Sequence, residues 1–104
     1  IADADTGYGN PLNVRRTVES YAGAGFAGLM IEDQLAPKRC GHTRGKQVVS
    51  RAEAALRVRA AVDAREAGAD LLVMARTDAR AVHGLDEALE RCRAFADLGA
   101  DILF

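Results

Sequence analysis

The chain has 104 residues, a formal net charge of −1 at pH 7 and only 5% aromatic residues. This near-neutral balance gives no support for binding to nucleic acid or to a membrane surface, and no apolar run approaches the roughly 18 residues of a membrane span. The two cysteines, Cys40 and Cys92, lie in a loop and in an apolar helical stripe, so the pattern indicates no disulfide framework and favours a reducing, cytoplasmic compartment. The length suits one small domain or part of a larger one, and we expect part of a longer protein.

The first half of the chain alternates strand and helix signals. A short strand, 1–5, ends in acidic residues and is followed by turn residues. Asn10 and Pro11 are typical of a helix start. The continuous apolar run 26–31 then predicts a strand that is buried on both faces.

The second half repeats this alternation. Ser50 and Glu53 form a capping-box pattern that predicts the start of the second helix. The apolar run 71–75 predicts another strand, a third helix is expected after Gly84, and residues 101–104 begin a fourth strand. The predicted buried stripe of the third helix consists of Leu85, Leu89, Cys92, Phe95 and Ala96.

The order β-α-β-α-β-α-β predicts a parallel sheet with right-handed crossovers. Two architectures fit this order: a (β/α)₈ barrel and an open doubly wound sheet. Polar residues follow three consecutive strands, namely Asp3 with Asp5, Glu32 with Asp33, and Arg76 with Asp78. A barrel gathers its active site at the carboxyl ends of all its strands, whereas an open sheet binds ligands mainly at one switch point. We therefore predict an α/β fold, a (β/α)₈ TIM barrel, of which 1–104 is a partial catalytic segment.

Asp3 and Asp5 are two residues apart, so both side chains would share one face of a strand. Carboxylates this close repel one another unless a cation or a proton lies between them. Hard oxygen ligands of this kind suit Mg²⁺ or Mn²⁺, and Glu32 lies one strand away. The alternative is a solvated strand end or a helix-capping pair. We favour a metal site.

Arg76 and Cys40 are the other candidates. Arg76 ends a buried strand, where a guanidinium can grip a substrate carboxylate through two hydrogen bonds; a structural ion pair with a neighbouring carboxylate is the alternative. Cys40 lies in the loop 35–50 among lysine, arginine and histidine residues, which favour a thiolate and a role in proton transfer. The alternative is an inert, exposed thiol. Two glycines allow this loop to fold over a ligand, and we interpret it as a gating loop.

Four short motifs resemble the isocitrate lyase and phosphoenolpyruvate mutase superfamily. These motifs are Asp3-Ala4-Asp5-Thr6-Gly7-Tyr8-Gly9, Ile31-Glu32-Asp33-Gln34, Lys38-Arg39-Cys40-Gly41-His42 and Ala75-Arg76-Thr77-Asp78. They occur in the family's order along the whole chain. The cysteine motif resembles the branch that cleaves carbon–carbon bonds, and the residues around it are most similar to the oxaloacetate hydrolase and 2,3-dimethylmalate lyase group, with methylisocitrate lyases sharing the core motif.

The resemblance implies a role for each matching residue. Asp3 and Asp5 would bind Mg²⁺ (or Mn²⁺), with Glu32 acting through water. Cys40 would be the catalytic acid or base, and Lys38 and His42 would close over the substrate with it. Substrate contacts would come from Cys40, Gly41 and Arg76. The resemblance also implies that the chain spans roughly strands three to six of a barrel, and that the full-length protein is a homo-oligomer, a tetramer, acting on a small dicarboxylate.

The implied reaction is Mg²⁺-dependent cleavage of a carbon–carbon bond in a 2-hydroxy or hydrated 2-oxo dicarboxylate, of the oxaloacetate, 2,3-dimethylmalate or methylisocitrate class. Two alternatives stay open at this point. One is phosphorus–carbon chemistry, as in the mutases or phosphonopyruvate hydrolases, against which the cysteine motif weighs. The other is a non-catalytic half-barrel or open-sheet module with solvated carboxylates. The order of the strands in the sheet separates a barrel segment from an open sheet.

Overall fold

Four parallel strands and four helices make up the part of the chain that the computed structural model describes, residues 1–40 and 44–104. The strands are β1 (Ala2–Asp3), β2 (Gly28–Glu32), β3 (Leu72–Arg76) and β4 (Ile102–Leu103). The helices are α1 (Pro11–Gly23), α2 (Arg51–Glu66), α3 (Ala79–His83) and α4 (Leu85–Leu98). Within these described ranges, no helix is long and apolar enough to cross a membrane.

The strands lie side by side in chain order, β1-β2-β3-β4, and every pair is parallel. An open doubly wound sheet has a switch point, where the order of its strands reverses. The described strands have none, so their order favours a segment of a barrel. Right-handed crossovers between neighbouring parallel strands put the connecting helices on one face of the sheet. The predicted parallel α/β sheet is confirmed.

Helices α1 and α2 begin where the sequence indicates. At α1 the Asn13 amide donates to Asn10 Oδ1 (3.1 Å) and the Asn10 amide donates to Asn13 Oδ1 (3.2 Å), a complete capping box. At α2 the Glu53 amide donates to the Ser50 hydroxyl (3.1 Å). The Glu53 carboxylate lies 3.6 Å from Arg57 Nη2, so it forms an ion pair with the residue one turn further along α2. Each cap satisfies backbone N–H groups that a helix start leaves without partners.

The core lies between the sheet and its helices. Leu29, Ile31 and Val73 are buried on the helix-facing side of the central strands. The side chains of α1 and α2 that pack against them include Val14, Val18, Ala60, Ala61 and Ala64. Since side chains alternate along a strand, the neighbouring residues of each strand point to the opposite face. Glu32 and Arg76 are therefore directly paired in register on that opposite face.

Helix α4 buries a different face from the one that the apolar spacing predicts. Leu85 and Leu89 are 54% and 43% exposed, whereas the buried residues are Ala88, Arg91 and Phe95. The reason is an ion pair, because the Arg91 guanidinium donates to the Asp33 carboxylate (3.0 Å) and so occupies a sheet-facing position. The predicted stripe is wrong in this respect. The short helix α3 was also absent from the expected element order.

Candidate active site

The Lys38 ammonium lies among three carboxylates at the carboxyl ends of β1 and β2. Its Nζ is 2.8 Å from Asp3 Oδ2, 2.5 Å from Asp5 Oδ1 and 3.4 Å from Glu32 Oε1. Lys38 belongs to the loop 35–50, so these contacts hold the first arm of that loop over the strand ends. The structure thus brings together four residues that the sequence singled out from three separate segments.

The charges of this cluster shift the pKa values of its members. Burial alone would lower the pKa of Lys38, but its bonds to Asp3 and Asp5 and the charge of Glu32 outweigh burial and raise it. For Asp3, burial acts to raise the pKa, yet the bond from Lys38 and the bond from the Asp5 amide lower it overall. The contact between Lys38 and Asp3 therefore favours the charged forms of both side chains.

Asp5 joins the cluster by a route that the sequence did not predict. Strand β1 ends at Asp3, and Asp5 has φ 51°, in the left-handed region that aspartate tolerates better than most residues. The Asp5 amide donates to Asp3 Oδ1 (2.9 Å), and its carbonyl accepts from the Glu32 amide (2.9 Å). The turn that follows is tight: at Gly7, with φ 91°, an added Cβ would lie 2.5 Å from the Val14 side chain. Asp3 and Asp5 therefore converge through a turn rather than along one strand face.

Glu32 is the buried member of the cluster, with a side chain only 1% exposed. Burial raises its pKa, as does a hydrogen bond with Asp78, while Gln34, Lys38 and Arg76 oppose that rise. Its Oε2 accepts from Gln34 Nε2 (3.2 Å) and lies 3.4 Å from Arg76 Nε. Among the residues described, none forms a hydrogen bond with its Oε1. The nearest cation to this oxygen among these residues is Lys38 Nζ, 3.4 Å away, so Oε1 keeps the capacity to accept a hydrogen bond from water.

The donor set fits a hard divalent cation. Within 1–40 and 44–104, no three His, Cys, Asp or Glu side chains already form a group that could hold a metal ion, and the Lys38 ammonium lies in the space between Asp3, Asp5 and Glu32. Carboxylate oxygens are the ligands that Mg²⁺ and Mn²⁺ prefer. With Lys38 withdrawn, Asp3 and Asp5 could hold such an ion, and Glu32 Oε1 could accept from its water.

Arg76 contacts carboxylates on both sides. Its Nη2 lies 3.1 Å from Asp78 Oδ1, in addition to the contact of its Nε with Glu32. The guanidinium also lies over the Phe104 ring, 5.1 Å from the centroid. The structural ion pair considered from the sequence is therefore present. Because a guanidinium carries five N–H donors, these contacts leave it able to bind a substrate carboxylate as well.

Asp78 ties the second arm of the loop to the sheet. Lys46 Nζ lies 2.7 Å from Asp78 Oδ1, and both side chains are at most 10% exposed. Burial alone would raise the pKa of Asp78, but bonds from Lys46 and Arg76 and the bond with Glu32 lower it. The side chains of Lys38 and Lys46 thus each tie one arm of the loop to acidic residues at the strand ends.

Asp33 has a structural role that separates it from Glu32. Its carboxylate accepts from the Thr77 hydroxyl (2.6 Å), from the Asp78 amide (2.9 Å) and from Arg91 Nη1 (3.0 Å). Its side chain is 1% exposed. These bonds fasten the end of β3 to α4, and thereby fix the backbone that carries Arg76 and Asp78.

The predicted catalytic loop is described only in part. Cys40 is exposed and lies two residues after Lys38. Gly41 and His42, the other predicted residues of this motif, lie outside the described residues. Cys92 is half-buried on α4, where burial and the charge of Asp33 raise its pKa.

Three residues of the site carried no assigned role in the sequence. Gln34 is 1% exposed and contacts Glu32, Asp78 and the loop. Arg57 is buried on α2 and donates to the carbonyls of Glu32 (3.1 Å) and Gln34 (2.9 Å). Arg91 holds Asp33. The two arginines interrupt apolar helical stripes, and that interruption is the signal that could have identified them.

Comparison with known proteins identifies the family of this chain. A model of the family described as phosphoenolpyruvate phosphomutase matches residues 1–104. The chain is 54% identical to the 2,3-dimethylmalate lyase of Eubacterium barkeri, with 100% of this chain and 36% of that protein covered. It is also 54% identical to the 2-methylisocitrate lyase of Salmonella typhimurium, with 100% and 35% covered. The chain therefore spans about a third of the length of these curated relatives.

Solved structures agree in fold. A crystal structure of 2,3-dimethylmalate lyase, named as a member of the PEP mutase/isocitrate lyase superfamily, matches with TM-score 0.96 and 51% identity over 99% of this chain and 35% of that one. Oxaloacetate acetylhydrolase with the inhibitor 3,3-difluorooxalacetate matches with TM-score 0.94 and 52% identity, covering 98% and 35%. Phosphonopyruvate hydrolase with oxalate and Mg²⁺ matches with TM-score 0.82 and 35% identity, covering 98% and 34%. From its motifs, its sheet and these matches, the chain belongs to the phosphoenolpyruvate mutase/isocitrate lyase superfamily.

Proposed function

We propose that the complete protein catalyses Mg²⁺-dependent cleavage of a carbon–carbon bond in a small 2-hydroxy or hydrated 2-oxo dicarboxylate. One observation carries this proposal. Asp3, Asp5 and Glu32 converge on a single cationic atom, Lys38 Nζ, which belongs to the loop that also carries Cys40. The cation site lies at the carboxyl ends of parallel strands, the usual location of active sites in barrels. The exposed Cys40 thiol belongs to the residue two positions after Lys38, which occupies that site.

The metal would be held by Asp3 and Asp5 directly and by Glu32 through water. When bound, Mg²⁺ would supply positive charge that orients substrate oxygens and stabilises negative charge as it develops on them. Mn²⁺ has the same ligand preference and could replace it. Arg76 would grip a substrate carboxylate, which fixes the substrate's orientation.

Bond cleavage begins when a base removes the proton of the substrate hydroxyl. The electron pair of that O–H bond forms the new carbonyl, the carbon–carbon bond breaks, and its electrons remain on the departing carbon as a carbanion. The Cys40 thiol then donates its proton to that carbanion. Lys38 and His42 would close over the substrate with Cys40, and Gly41 would contact it, so that bulk water is excluded during these steps.

The relatives support both the reaction class and the substrate class. Proteins about half identical to this chain are named 2,3-dimethylmalate lyase and 2-methylisocitrate lyase, and oxaloacetate acetylhydrolase shares the fold of the segment. All three names specify small dicarboxylic or tricarboxylic acids. The complete protein would accordingly form a (β/α)₈ barrel, in which this chain supplies strands three to six, and would assemble as a cytoplasmic homotetramer.

Cleavage of a phosphorus–carbon bond is the second candidate. It is favoured by the description of the matching family, phosphoenolpyruvate phosphomutase, and by the likeness to phosphonopyruvate hydrolase. The loop motif around Cys40 weighs against it, because that motif resembles the branch of the family that cleaves carbon–carbon bonds.

An activity screen of the complete protein tests the proposal. Oxaloacetate, 2,3-dimethylmalate, 2-methylisocitrate and phosphonopyruvate would be compared with Mg²⁺ and after its removal by a chelator. We expect turnover of one of the first three acids, lost without the metal. Cys40→Ser should lower kcat by about 10²- to 10⁴-fold, the usual contribution of a positioned acid or base, while Cys92→Ser should leave kcat unchanged. Turnover of phosphonopyruvate alone would establish the second candidate instead.

A further inference from the structure

The backbone of Gln34 forms a rigid base for the loop 35–50. Gln34 pairs with Val48 in an antiparallel bridge, which joins the two arms of the loop where it leaves the sheet. The amide of Leu35 donates to the Gln47 carbonyl (2.8 Å), and the Gln34 carbonyl accepts from the buried Arg57 guanidinium (2.9 Å). The loop therefore begins at a fixed point rather than at a hinge.

The side chain of Gln34 reaches from this base to Arg39 inside the loop. Its Oε1 accepts from the Arg39 amide (3.0 Å), and its Nε2 donates to the Arg39 carbonyl (3.1 Å). One side-chain amide thus binds both backbone groups of a single residue. Because Arg39 directly precedes Cys40, this two-point contact restricts where the Cys40 backbone can lie.

The same Nε2 also contacts the acidic residues of the site. It lies 3.2 Å from Glu32 Oε2 and 3.1 Å from Asp78 Oδ2. A side-chain amide has two N–H groups, so the Arg39 carbonyl and the two carboxylates share two donors. The position of the loop is therefore linked to that of both carboxylates. Gln34 is 1% exposed, so water does not compete for these bonds.

We infer that Gln34 is a positioning residue, which fixes Arg39 and the adjoining Cys40 relative to the Glu32 and Asp78 carboxylates. Its catalytic consequence rests on the proposed function, because it concerns the placement of the proton donor. Gln34 itself would not touch the reacting atoms. Its effect on the reaction passes through Cys40 and so falls on the proton-transfer step more than on metal or substrate binding.

Amide hydrogen exchange in the complete protein measures the first part of this inference without turnover. Gln34→Met keeps a similar volume but removes every bond to Arg39. We expect exchange at the Arg39 amide to accelerate about three- to tenfold, as for the loss of one net hydrogen bond, with α2 unchanged. Gln47→Ala is the matched control, since Gln47 binds Leu35 through its backbone carbonyl. Unchanged exchange at Arg39, or equal acceleration in α2, would overturn the inference.

Kinetics with the best substrate test the second part. Gln34→Met should lower kcat about 10- to 100-fold, the size expected for a residue that orients a reacting group. We expect KM and the dissociation constant of Mn²⁺ to change by less than about threefold. A rise in KM with kcat unchanged would overturn the positioning role. If the wild-type protein cleaves none of the carbon acids, the proposed function and this catalytic consequence both fail, while hydrogen exchange still decides whether Gln34 holds Arg39.

Discussion

The Lys38 ammonium lies 2.5 Å from Asp5 Oδ1, within a group of acidic side chains that are the expected metal ligands. An ammonium and a metal ion cannot occupy this space together. A metal ion held there, as proposed above, would therefore displace the Lys38 ammonium from between the carboxylates. In this structure the Lys38 ammonium supplies the positive charge among these carboxylates.

Lys38→Met should strengthen metal binding to the ligand-free protein. It removes the competing charge but keeps most of the apolar stem. We expect the dissociation constant of Mn²⁺ to fall by roughly three- to tenfold, because partly exposed ion pairs contribute only modest free energies. Isothermal titration calorimetry measures this change. Arg44→Met removes a charge from an exposed position in the same loop and should have a much smaller effect. Weaker metal binding in Lys38→Met would show that Lys38 assists the metal rather than competing with it.

Arg76→Lys should weaken substrate binding. A lysine keeps the positive charge but loses the planar, two-point geometry that matches a carboxylate. We expect KM for the dicarboxylate to rise about 10- to 100-fold, in line with hydrogen bonds to charged groups. Steady-state kinetics give this value. Arg80→Lys, which changes an exposed arginine on α3, serves as the control. An unchanged KM in Arg76→Lys would show that Arg76 forms structural ion pairs only and does not bind the substrate.

Arg91→Ala should be strongly destabilising. The Arg91 and Asp33 side chains are 3% and 1% exposed, so this change leaves a buried carboxylate without its cationic partner. Loss of one partner of a buried ion pair costs about 3–5 kcal/mol. Urea unfolding of the complete protein measures the difference. Arg93→Ala on the same helix removes an exposed guanidinium paired with Glu90 and should cost less than about 1 kcal/mol. Equal losses in the two variants would contradict the importance of the Asp33 contact.

Glu87 should make the stability of the protein depend on acid pH. Bonds from Arg51 and then from Arg91 lower the pKa of Glu87 from 4.5 to about 2. A carboxyl whose pKa is lowered by folding stabilises the native state above its unfolded pKa, and that stabilisation is lost as the pH falls through the folded value. Glu87→Gln should therefore lower Tm at pH 7, and the difference from wild type should shrink from pH 4.5 toward pH 2.

Thermal denaturation across this pH range provides the measurement. Glu90→Gln, which removes a carboxylate from an exposed pair on the same helix, is the control and should show a smaller Tm difference. A Tm difference for Glu87→Gln that stays constant down to pH 2 would contradict the lowered pKa.

The amino-acid sequence by itself determined the order of strands and helices and the polar residues that follow each strand. Apolar runs, helix caps and turn residues act over a few neighbouring positions, so these features can be interpreted locally. Asp3, Asp5, Glu32 and Arg76 were identified in this way, because parallel strands bring their carboxyl ends to one edge.

The tertiary structure alone decided which residues meet across those segments. Lys38 enters the carboxylate group, Asp33 faces Arg91 rather than the site, and Gln34 contacts both the loop and the strand ends. Each of these contacts joins residues that belong to different segments of the chain. On α4, the buried charge of Arg91 occupies a sheet-facing position and overrides the apolar spacing that predicted a different buried face. Local pattern cannot specify such pairings, because their free energy depends on burial and on partners distant in sequence.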